Sequence, residues 1–235
     1  MRIWVSRPEP GAARTARRLE GLGHAALVAP VLRIVPTGAS LPPGRFDGLI
    51  LTSGNAVAAT DAAPRDLPVL AVGARTAERA RRAGFRRVHS AEGDAGDLAA
   101  LVADTLAPGS TLLHAAGEDR KPEPAASLAA AGFSVTVWNA YAARAEEALP
   151  DAVAQALRAE DETRPAAALH YSRRSARVAA GLCREAGLAG AFRALAHYCL
   201  SPDVEAGLAE FGLAAHFVAT RPSEDALLAG LPAPD

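Results

Sequence analysis

The amino-acid sequence predicts an α/β protein made of two similar lobes with parallel sheets, a two-stranded linker and a cleft between the lobes. Three observations carry this prediction. Short apolar strands alternate with segments of helical periodicity along the 235 residues, an order typical of βαβ units. The order of elements repeats in the two parts of the chain. Two long extended segments lie where the chain would cross between lobes.

The first part of the chain alternates strands with helices that end at glycine. In the first helix, Ala12, Ala16 and Leu19 line one face and Gly23 follows the end, as expected for an amphipathic helix. Residues 36–44 contain three prolines and two glycines and are predicted to form a loop. The predicted strands are 2–6, 26–30, 47–52 and 69–72, with 31–35 extended, and the predicted helices are 11–22, 54–62, 74–83 and 97–106.

The second part of the chain also alternates strands with helices. Val204, Leu208 and Phe211 give one helix its apolar face, and Gly212 ends it, as the helical period requires. The predicted strands are 111–115, 134–142, 166–171, 194–200 and 216–219, and the predicted helices are 123–131, one that begins at 150, 176–186, 204–211 and 223–231. Sheets covered by helices in this order are typical of Rossmann- and flavodoxin-like lobes.

The repeated order predicts a discontinuous domain organisation. A strand, a polar turn and a helix, then a strand, a small residue and a helix, occur once around Ser53 and Gly73 and again around Ser172 and Ser201. We predict that lobe 1 comprises residues 1–35 and 146–235, and lobe 2 residues 36–145. The linker strands are predicted near 31–37 and 137–145.

The composition limits which classes of binding partner and which cellular compartment we expect. The net charge of −1 argues against nucleic acid or an anionic membrane, which require a basic field. No apolar run reaches the roughly 18 residues that a membrane span needs, and the N-terminus lacks the features of a secretory signal. Cys183 and Cys199 fit a reducing compartment. We expect a cytoplasmic monomer, because no long apolar helix face is left over, with no metal site.

Candidate ligand contacts lie after the strands, because open parallel sheets bind ligands beyond the carboxyl ends of their strands. Ser53, Ser172 and Ser201 are positioned to cap the helices that follow, and backbone amides there favour anions. Ordinary helix caps and loop glycines are the alternative for each of these positions. The polar and glycine residues at strand ends are Ser6, Arg7, Thr52, Ser53, Gly73, Gly117, Ser172 and Ser201.

Common catalytic motifs are missing from the sequence. It contains no GxGxxG after the first strand, no phosphate-binding GxxxxGK[ST], no GxSxG and no HExxH, which removes most nucleotide, serine-hydrolase and zinc-protease functions. His114, His170 and His197 lie inside apolar strands and are predicted to be core imidazoles.

Tyr141 is the candidate proton donor. It ends the aromatic stretch 138–141 in the predicted return crossing, where a side chain can reach the cleft. A tyrosine there can donate a proton to a ligand. The alternative is a packing residue at a hinge.

Over nearly its full length and in the right order, the chain resembles the uroporphyrinogen-III synthases. Each matching piece is short, and it is their order that carries the resemblance. One departure is Ser201-Pro202-Asp203, where the family often has glycine and threonines, and Asp203 would repel a carboxylate. The matching pieces are 6–8, 52–57, 72–77 with 84–85, 116–120 including Arg120, Tyr141, 171–176, 200–202 and 221–223.

The resemblance implies an enzyme without a cofactor that cyclises hydroxymethylbilane, a linear tetrapyrrole polycarboxylate, and inverts its last ring. It implies two α/β lobes, the first discontinuous, and a cleft that binds carboxylates largely through backbone amides. Tyr141 is then the candidate catalytic residue, and the helix-face arginines Arg79 and Arg82 are assigned to solvent. The implied substrate contacts are Arg7, Ser53, Gly73, Thr76, Gly117, Ser172, Arg173 and Ser201.

Two other functions fit the same pattern. A non-catalytic two-lobed protein that binds an anionic ligand, or a regulatory domain, would use the same strand ends. A nucleotide-sugar or sugar-phosphate enzyme would also have two such lobes, although the missing phosphate loop counts against it.

Overall fold

The computed structural model describes residues 1–119 and 122–233. The chain divides into two compact units, Met1–Arg33 with Arg144–Asp235, and Ile34–Ala143. Two parallel sheets flanked by helices confirm the predicted α/β class. The predicted domain limits at 35/36 and 145/146 stay predictions.

The described residues form eleven strands and ten helices. Chain order gives β1 (Arg2–Val5), α1 (Gly11–Gly21), β2 (Ala25–Val28), β3 (Leu32–Pro36), β4 (Gly48–Leu51), α2 (Gly54–Val57), β5 (Val69–Ala71), α3 (Ala74–Arg82), β6 (Val88–Ser90), α4 (Ala95–Thr105), β7 (Thr111–Gly117), α5 (Ala125–Ala130), β8 (Ser134–Ala145), α6 (Asp151–Arg158), β9 (Ala167–His170), α7 (Arg173–Glu185), α8 (Ala189–Arg193), β10 (Ala196–Cys199), α9 (Pro202–Ala209), β11 (Phe217–Val218) and α10 (Glu224–Leu228).

The sheet of the first unit has the order β11-β10-β9-β1-β2, and all its pairs are parallel. Its strand β1, which lies between β9 and β2, is apolar without alternation from Ile3 to Val5 because helices cover both faces. Ile3 and Val5 pack into one core cluster, while Trp4 points the other way and meets the ring of Phe192 edge-on at 5.8 Å. The indole of Trp4 donates a hydrogen bond to the carbonyl of Ala29, 2.8 Å away.

The sheet of the second unit has the order β3-β8-β7-β4-β5-β6, and the strands from β8 to β6 pair in parallel. Its two faces carry separate cores, because successive side chains of a strand point to opposite sides. Leu49 and Leu51 belong to one cluster, and Ile50 between them belongs to the other. Buried strands of this kind explain why the sequence shows apolar runs rather than alternation.

The predicted linker segments correspond to β3 and β8, which are neighbours at one edge of this sheet. Beyond the ends of the pair, the amide of Glu146 donates to the carbonyl of Val31 at 3.0 Å. Arg33 also forms an ion pair with Glu146 at 2.7 Å. That these two strands act as a two-stranded linker stays a prediction.

Several element boundaries differ from the prediction. Helix α2 ends at Val57 rather than at residue 62, because the hydroxyl of Thr60 bonds the carbonyl of Val57 at 2.7 Å and the chain turns. Helix α7 begins at Arg173, three residues earlier than predicted, because Ser172 caps it. Strand β6 and helix α8 were not predicted, because at three and five residues they are too short to show a period.

Both cysteines, Cys183 and Cys199, are free and buried. Among the described helices, none has the length and apolar character that a membrane crossing requires.

Candidate functional site

In the second unit, four of the predicted site residues lie at one edge of the sheet. Strands β8, β7, β4 and β5 are adjacent and parallel, so their carboxyl ends meet at the same edge. Tyr141 and Gly117 lie on β8 and β7, and Ser53 and Gly73 directly precede helices α2 and α3. The parallel topology therefore brings these residues together although the chain separates them.

Tyr141 lies against Gly117. The two residues are paired in the register of β7 and β8, directly after a shift between Ala116 and Gly117, and the amide of Glu118 donates to the carbonyl of Tyr141 at 2.9 Å. A β-carbon at Gly117 would lie 3.0 Å from Cε2 and Cζ of the tyrosine ring. A glycine here therefore lets the ring approach the backbone this closely without a shift. The ring is half-buried.

The predicted contacts Ser53, Gly73 and Thr76 differ in how accessible they are to a ligand. The hydroxyl of Ser53 accepts a hydrogen bond from the amide of Asn55 at 3.2 Å, so it caps α2 as predicted. Gly73 precedes α3 with an extended backbone. Thr76, in the first turn of α3, is only 7% exposed, which leaves little of its side chain for a ligand.

The structure corrects one assignment in this unit. Arg82 is exposed and pairs with Glu78 at 2.9 Å, as expected of a solvated side chain. Arg79 is half-buried and lies over the backbone of Gly54. A β-carbon at Gly54 would lie 2.7 Å from Nη1 of Arg79 and 2.8 Å from its Cδ. Both arginines were assigned to solvent, but the missing side chain of Gly54 lets Arg79 fold inward.

In the first unit, the corresponding edge is formed by adjacent strands β1, β9 and β10. The hydroxyl of Ser172 accepts from the amide of Ser175 at 3.1 Å and donates to its hydroxyl at 3.0 Å, so it caps α7 as predicted. Ser201 holds the cap position of α9, but its hydroxyl makes no capping bond. The amide of Val204 donates instead to the backbone carbonyl of Ser201, at 3.0 Å.

Arg7 is held by a carboxylate of the protein itself. Its Nη1 lies 3.1 Å from Oε1 of Glu224, and its guanidinium carbon lies 4.0 Å from the centre of the Tyr171 ring. The tyrosine hydroxyl donates to the same carboxylate oxygen at 3.0 Å, and the hydroxyl of Thr15 does so at 2.5 Å. Arg7 is therefore engaged at this edge, and its role as a substrate contact stays a prediction.

Glu224, which the sequence pattern did not single out, is the centre of this cluster. Its side chain is 7% exposed, and Arg18 and Arg14 lie 3.1 Å and 3.5 Å from its Oε2. Burial alone would raise the pKa of the carboxyl, but the hydrogen bonds from Thr15 and Tyr171 and the neighbouring arginine charges outweigh it and lower the pKa to about 2. In the sequence, Glu224 looks like an ordinary acidic residue in a first helical turn.

Tyr171 and Arg173 are also committed to structural contacts. Burial raises the pKa of the Tyr171 hydroxyl to about 12, so this phenol is a poor acid. Arg173 donates from Nε and Nη2 to one oxygen of Glu210, at 3.2 and 2.8 Å, and lies 3.7 Å from Asp203. The role of Arg173 as a charge partner for substrate stays a prediction.

The strand histidines are buried, as predicted. His114 is 2% exposed, and its Nε2 lies 3.3 Å from the hydroxyl of Thr52. His170 and His197 form a buried pair with Nε2 of the first 3.0 Å from Nδ1 of the second. Arg120, part of the matching piece 116–120, lies outside the described residues.

Comparison with known proteins decides the family. A model of the family described as Uroporphyrinogen-III synthase HemD matches residues 13–229. The chain belongs to this family. It is therefore an enzyme of tetrapyrrole and heme biosynthesis with a small tetrapyrrole substrate.

Solved structures show the same fold as this member of the family. The crystal structure of a uroporphyrinogen-III synthetase from Helicobacter pylori matches with a TM-score of 0.64 at 16% identity, covering 97% of this chain and 96% of that chain. A mutant uroporphyrinogen III synthase from Thermus thermophilus matches with a TM-score of 0.50 at 16% identity, covering 98% and 96%. The comparison with curated proteins gives no match.

Proposed function

We propose that the chain closes hydroxymethylbilane to uroporphyrinogen III with inversion of ring D and loss of water, and is therefore a lyase. Membership of the uroporphyrinogen-III synthase family over residues 13–229 is the observation that carries this proposal. The set of predicted site residues at the carboxyl edge of the second sheet supports it.

The proposed reaction begins when an acid protonates the terminal hydroxyl and the carbon–oxygen bond breaks, releasing water and leaving an azafulvenium cation. The substituted carbon of ring D attacks this cation and forms a spiro intermediate. Fragmentation and reclosure at the other carbon then invert the ring, and loss of a proton restores the pyrrole. Hydroxymethylbilane also closes unaided without inversion, so the main task of the protein is to hold one conformation, which is a positioning effect.

Tyr141 is the proposed proton donor, directly or through water. Its ring packs on Gly117, which fixes its position, and among the described residues its hydroxyl has no hydrogen-bond partner that would compete with a substrate. General-acid assistance from one side chain adds roughly 10²-fold to a rate. A carboxyl group of the substrate is the alternative donor.

The carboxylates of the substrate are proposed to bind to backbone amides and hydroxyls at the strand ends. Amides after parallel strands suit anions because they carry unpaired donors. Arg7 and Arg173 are already paired with Glu224 and Glu210, so we expect weaker contributions from them. The proposed contacts are Ser53, Gly73, Thr76, Gly117, Ser172 and Ser201, with Arg7 and Arg173 as secondary charge partners.

We also propose that the enzyme works as a cytoplasmic monomer without nucleic-acid or membrane partners and without a cofactor. The net charge of −1 and two cysteines held as free buried thiols support this proposal, because disulfides are rare in reducing compartments.

An isomer assay tests the proposed function. Freshly prepared hydroxymethylbilane is incubated with the purified chain, the products are oxidised, and type I and type III porphyrins are separated chromatographically. We expect type III to exceed type I in proportion to enzyme concentration. Formation of type I alone, at the uncatalysed rate, would instead indicate a non-catalytic binding protein or another enzyme.

A further inference from the structure

Among the residues that the structure describes, Arg79 is a cation without a partner, and it lies near the carboxyl edge of the second sheet. Its guanidinium and the end of its stem lie on the backbone of Gly54, 2.7 Å and 2.8 Å from the position of a β-carbon there. Gly54 follows Ser53 at the carboxyl end of β4. Arg79 therefore reaches from the outer side of α3 to the edge where the predicted carboxylate contacts lie.

The charged side chains around Arg79 are already paired, whereas Arg79 has no partner in the part of the chain that the structure describes. In the open pocket of about 530 Å³ between α2 and α3, Arg79 is accompanied by Asp61 and Arg82. Asp61 pairs with Arg65 at 3.1 Å, and Arg82 pairs with Glu78 at 2.9 Å. Within 1–119 and 122–233, Arg79 has neither a hydrogen bond nor an ion pair. A half-buried guanidinium without a carboxylate has donors available for an anion.

We propose that Arg79 binds one carboxylate of the tetrapyrrole substrate beside Gly54. This inference rests on the proposed function and adds a binding residue to the same site. The planar fork of arginine bonds both oxygens of a carboxylate, and contact with the Gly54 backbone limits the directions in which the fork can point. Gly54 is then required because any side chain at this position would displace the guanidinium.

The first test removes the charge. Arg79→Gln should raise KM for hydroxymethylbilane about tenfold with kcat within about twofold, as expected when an ionic hydrogen bond made equally in ground and transition states is lost. Arg82→Gln is the matched control, because Arg82 lies about one helical turn after Arg79 in α3 and its side chain is 78% exposed. Its KM should match that of the wild type.

The second test keeps the charge and moves it. The backbone of Gly54 has no left-handed φ, so Gly54→Ala is compatible with the local conformation and clashes only with the flexible Arg79 side chain. Gly54→Ala should raise KM by a similar factor. The double variant Gly54→Ala/Arg79→Gln should be no worse than Arg79→Gln alone, because both changes remove one interaction.

Binding of the oxidised octacarboxylic product, measured by quenching of its porphyrin fluorescence, gives a readout that needs no turnover. The same tenfold loss of affinity is expected for Arg79→Gln, and an intermediate loss for Arg79→Lys. A wild-type KM and affinity in Arg79→Gln, an equal loss in Arg82→Gln, or additive effects in the double variant would each overturn the inference. A wild-type chain that forms no excess type III isomer would contradict the proposed function separately.

Discussion

Replacing the buried carboxylate of Glu224 by an amide should destabilise the first unit. Glu224→Gln keeps the size of the side chain and one acceptor for the hydroxyls of Thr15 and Tyr171. It removes the negative charge that faces the guanidinium groups of Arg7 and Arg18, at 3.1 Å each. The variant thus isolates the ionic part of the contact between α10 and α1.

The magnitude follows from the pKa. The pKa of this carboxyl group is about 4.5 in the unfolded chain and about 2 in the folded one. A pKa difference of 1 between the two states corresponds to about 1.4 kcal/mol of folding free energy. The side chain is 7% exposed, so solvent screening is small. We therefore expect Glu224→Gln to lower the free energy of unfolding by about 2–3 kcal/mol at pH 7.

The pH dependence gives a second signature. A carboxyl group with a depressed folded pKa stabilises the protein above its unfolded pKa, and this contribution is lost as the pH falls through the folded value. The difference between wild type and Glu224→Gln should therefore be constant above about pH 5 and shrink between about pH 4.5 and 2. Urea titrations at several pH values, followed by circular dichroism, measure it.

Asp225→Asn is the matched control. Asp225 lies next to Glu224 on the same helix and pairs with Arg18 at 2.6 Å, but its side chain is 84% exposed, so the loss should stay below about 1 kcal/mol. Equal effects of the two variants at pH 7, or a Glu224→Gln effect that persists unchanged to pH 2, would refute the argument that burial makes this ion pair strong.

Three further outcomes are expected. Tyr141→Phe should slow turnover roughly ten- to a hundredfold at an unchanged melting temperature. Tyr198 is a buried tyrosine of the first unit, and the control variant Tyr198→Phe should keep wild-type rates. Full activity of Tyr141→Phe would remove the Tyr141 hydroxyl from the mechanism. Gly117→Ala should also lower kcat, because a β-carbon 3.0 Å from the ring of Tyr141 must displace it, and unchanged kinetics would show that the ring position is unimportant. Burial lowers the pKa of His170 to about 3 and of His197 to about 4, so the unfolded chain binds more protons than the folded one at acid pH. The free energy of unfolding should therefore fall as the pH drops below about 6.5, by up to about 1.4 kcal/mol per pH unit for each histidine. The double variant His170→Gln/His197→Asn should show a flatter dependence of stability on pH between pH 6.5 and 4.5, and an equally steep one would contradict the assignment of these histidines as buried neutral groups.

The candidate site was predictable in part for a topological reason. Strand ends in a parallel sheet share an edge, so the order of elements in the sequence is enough to group Ser53, Gly73 and Gly117. Capping was readable as well, because a serine before a helix bonds a nearby amide, and this bond is local. The same rule failed at Ser201, where the amide of Val204 donates to the backbone carbonyl of the serine rather than to its hydroxyl.

The sequence by itself determined the alternation of strands and helices, the α/β class and the sheet edge at which the candidate site residues lie, because these depend on periodicity and on contacts between neighbours in the chain. Only the tertiary structure decided that Glu224 is inserted beside Arg7, 217 positions away, that Tyr141 rests on Gly117, and that Arg79 turns inward over Gly54. Such contacts depend on how distant backbones approach and on which side-chain rotamers that approach permits, and no local pattern of residues encodes either.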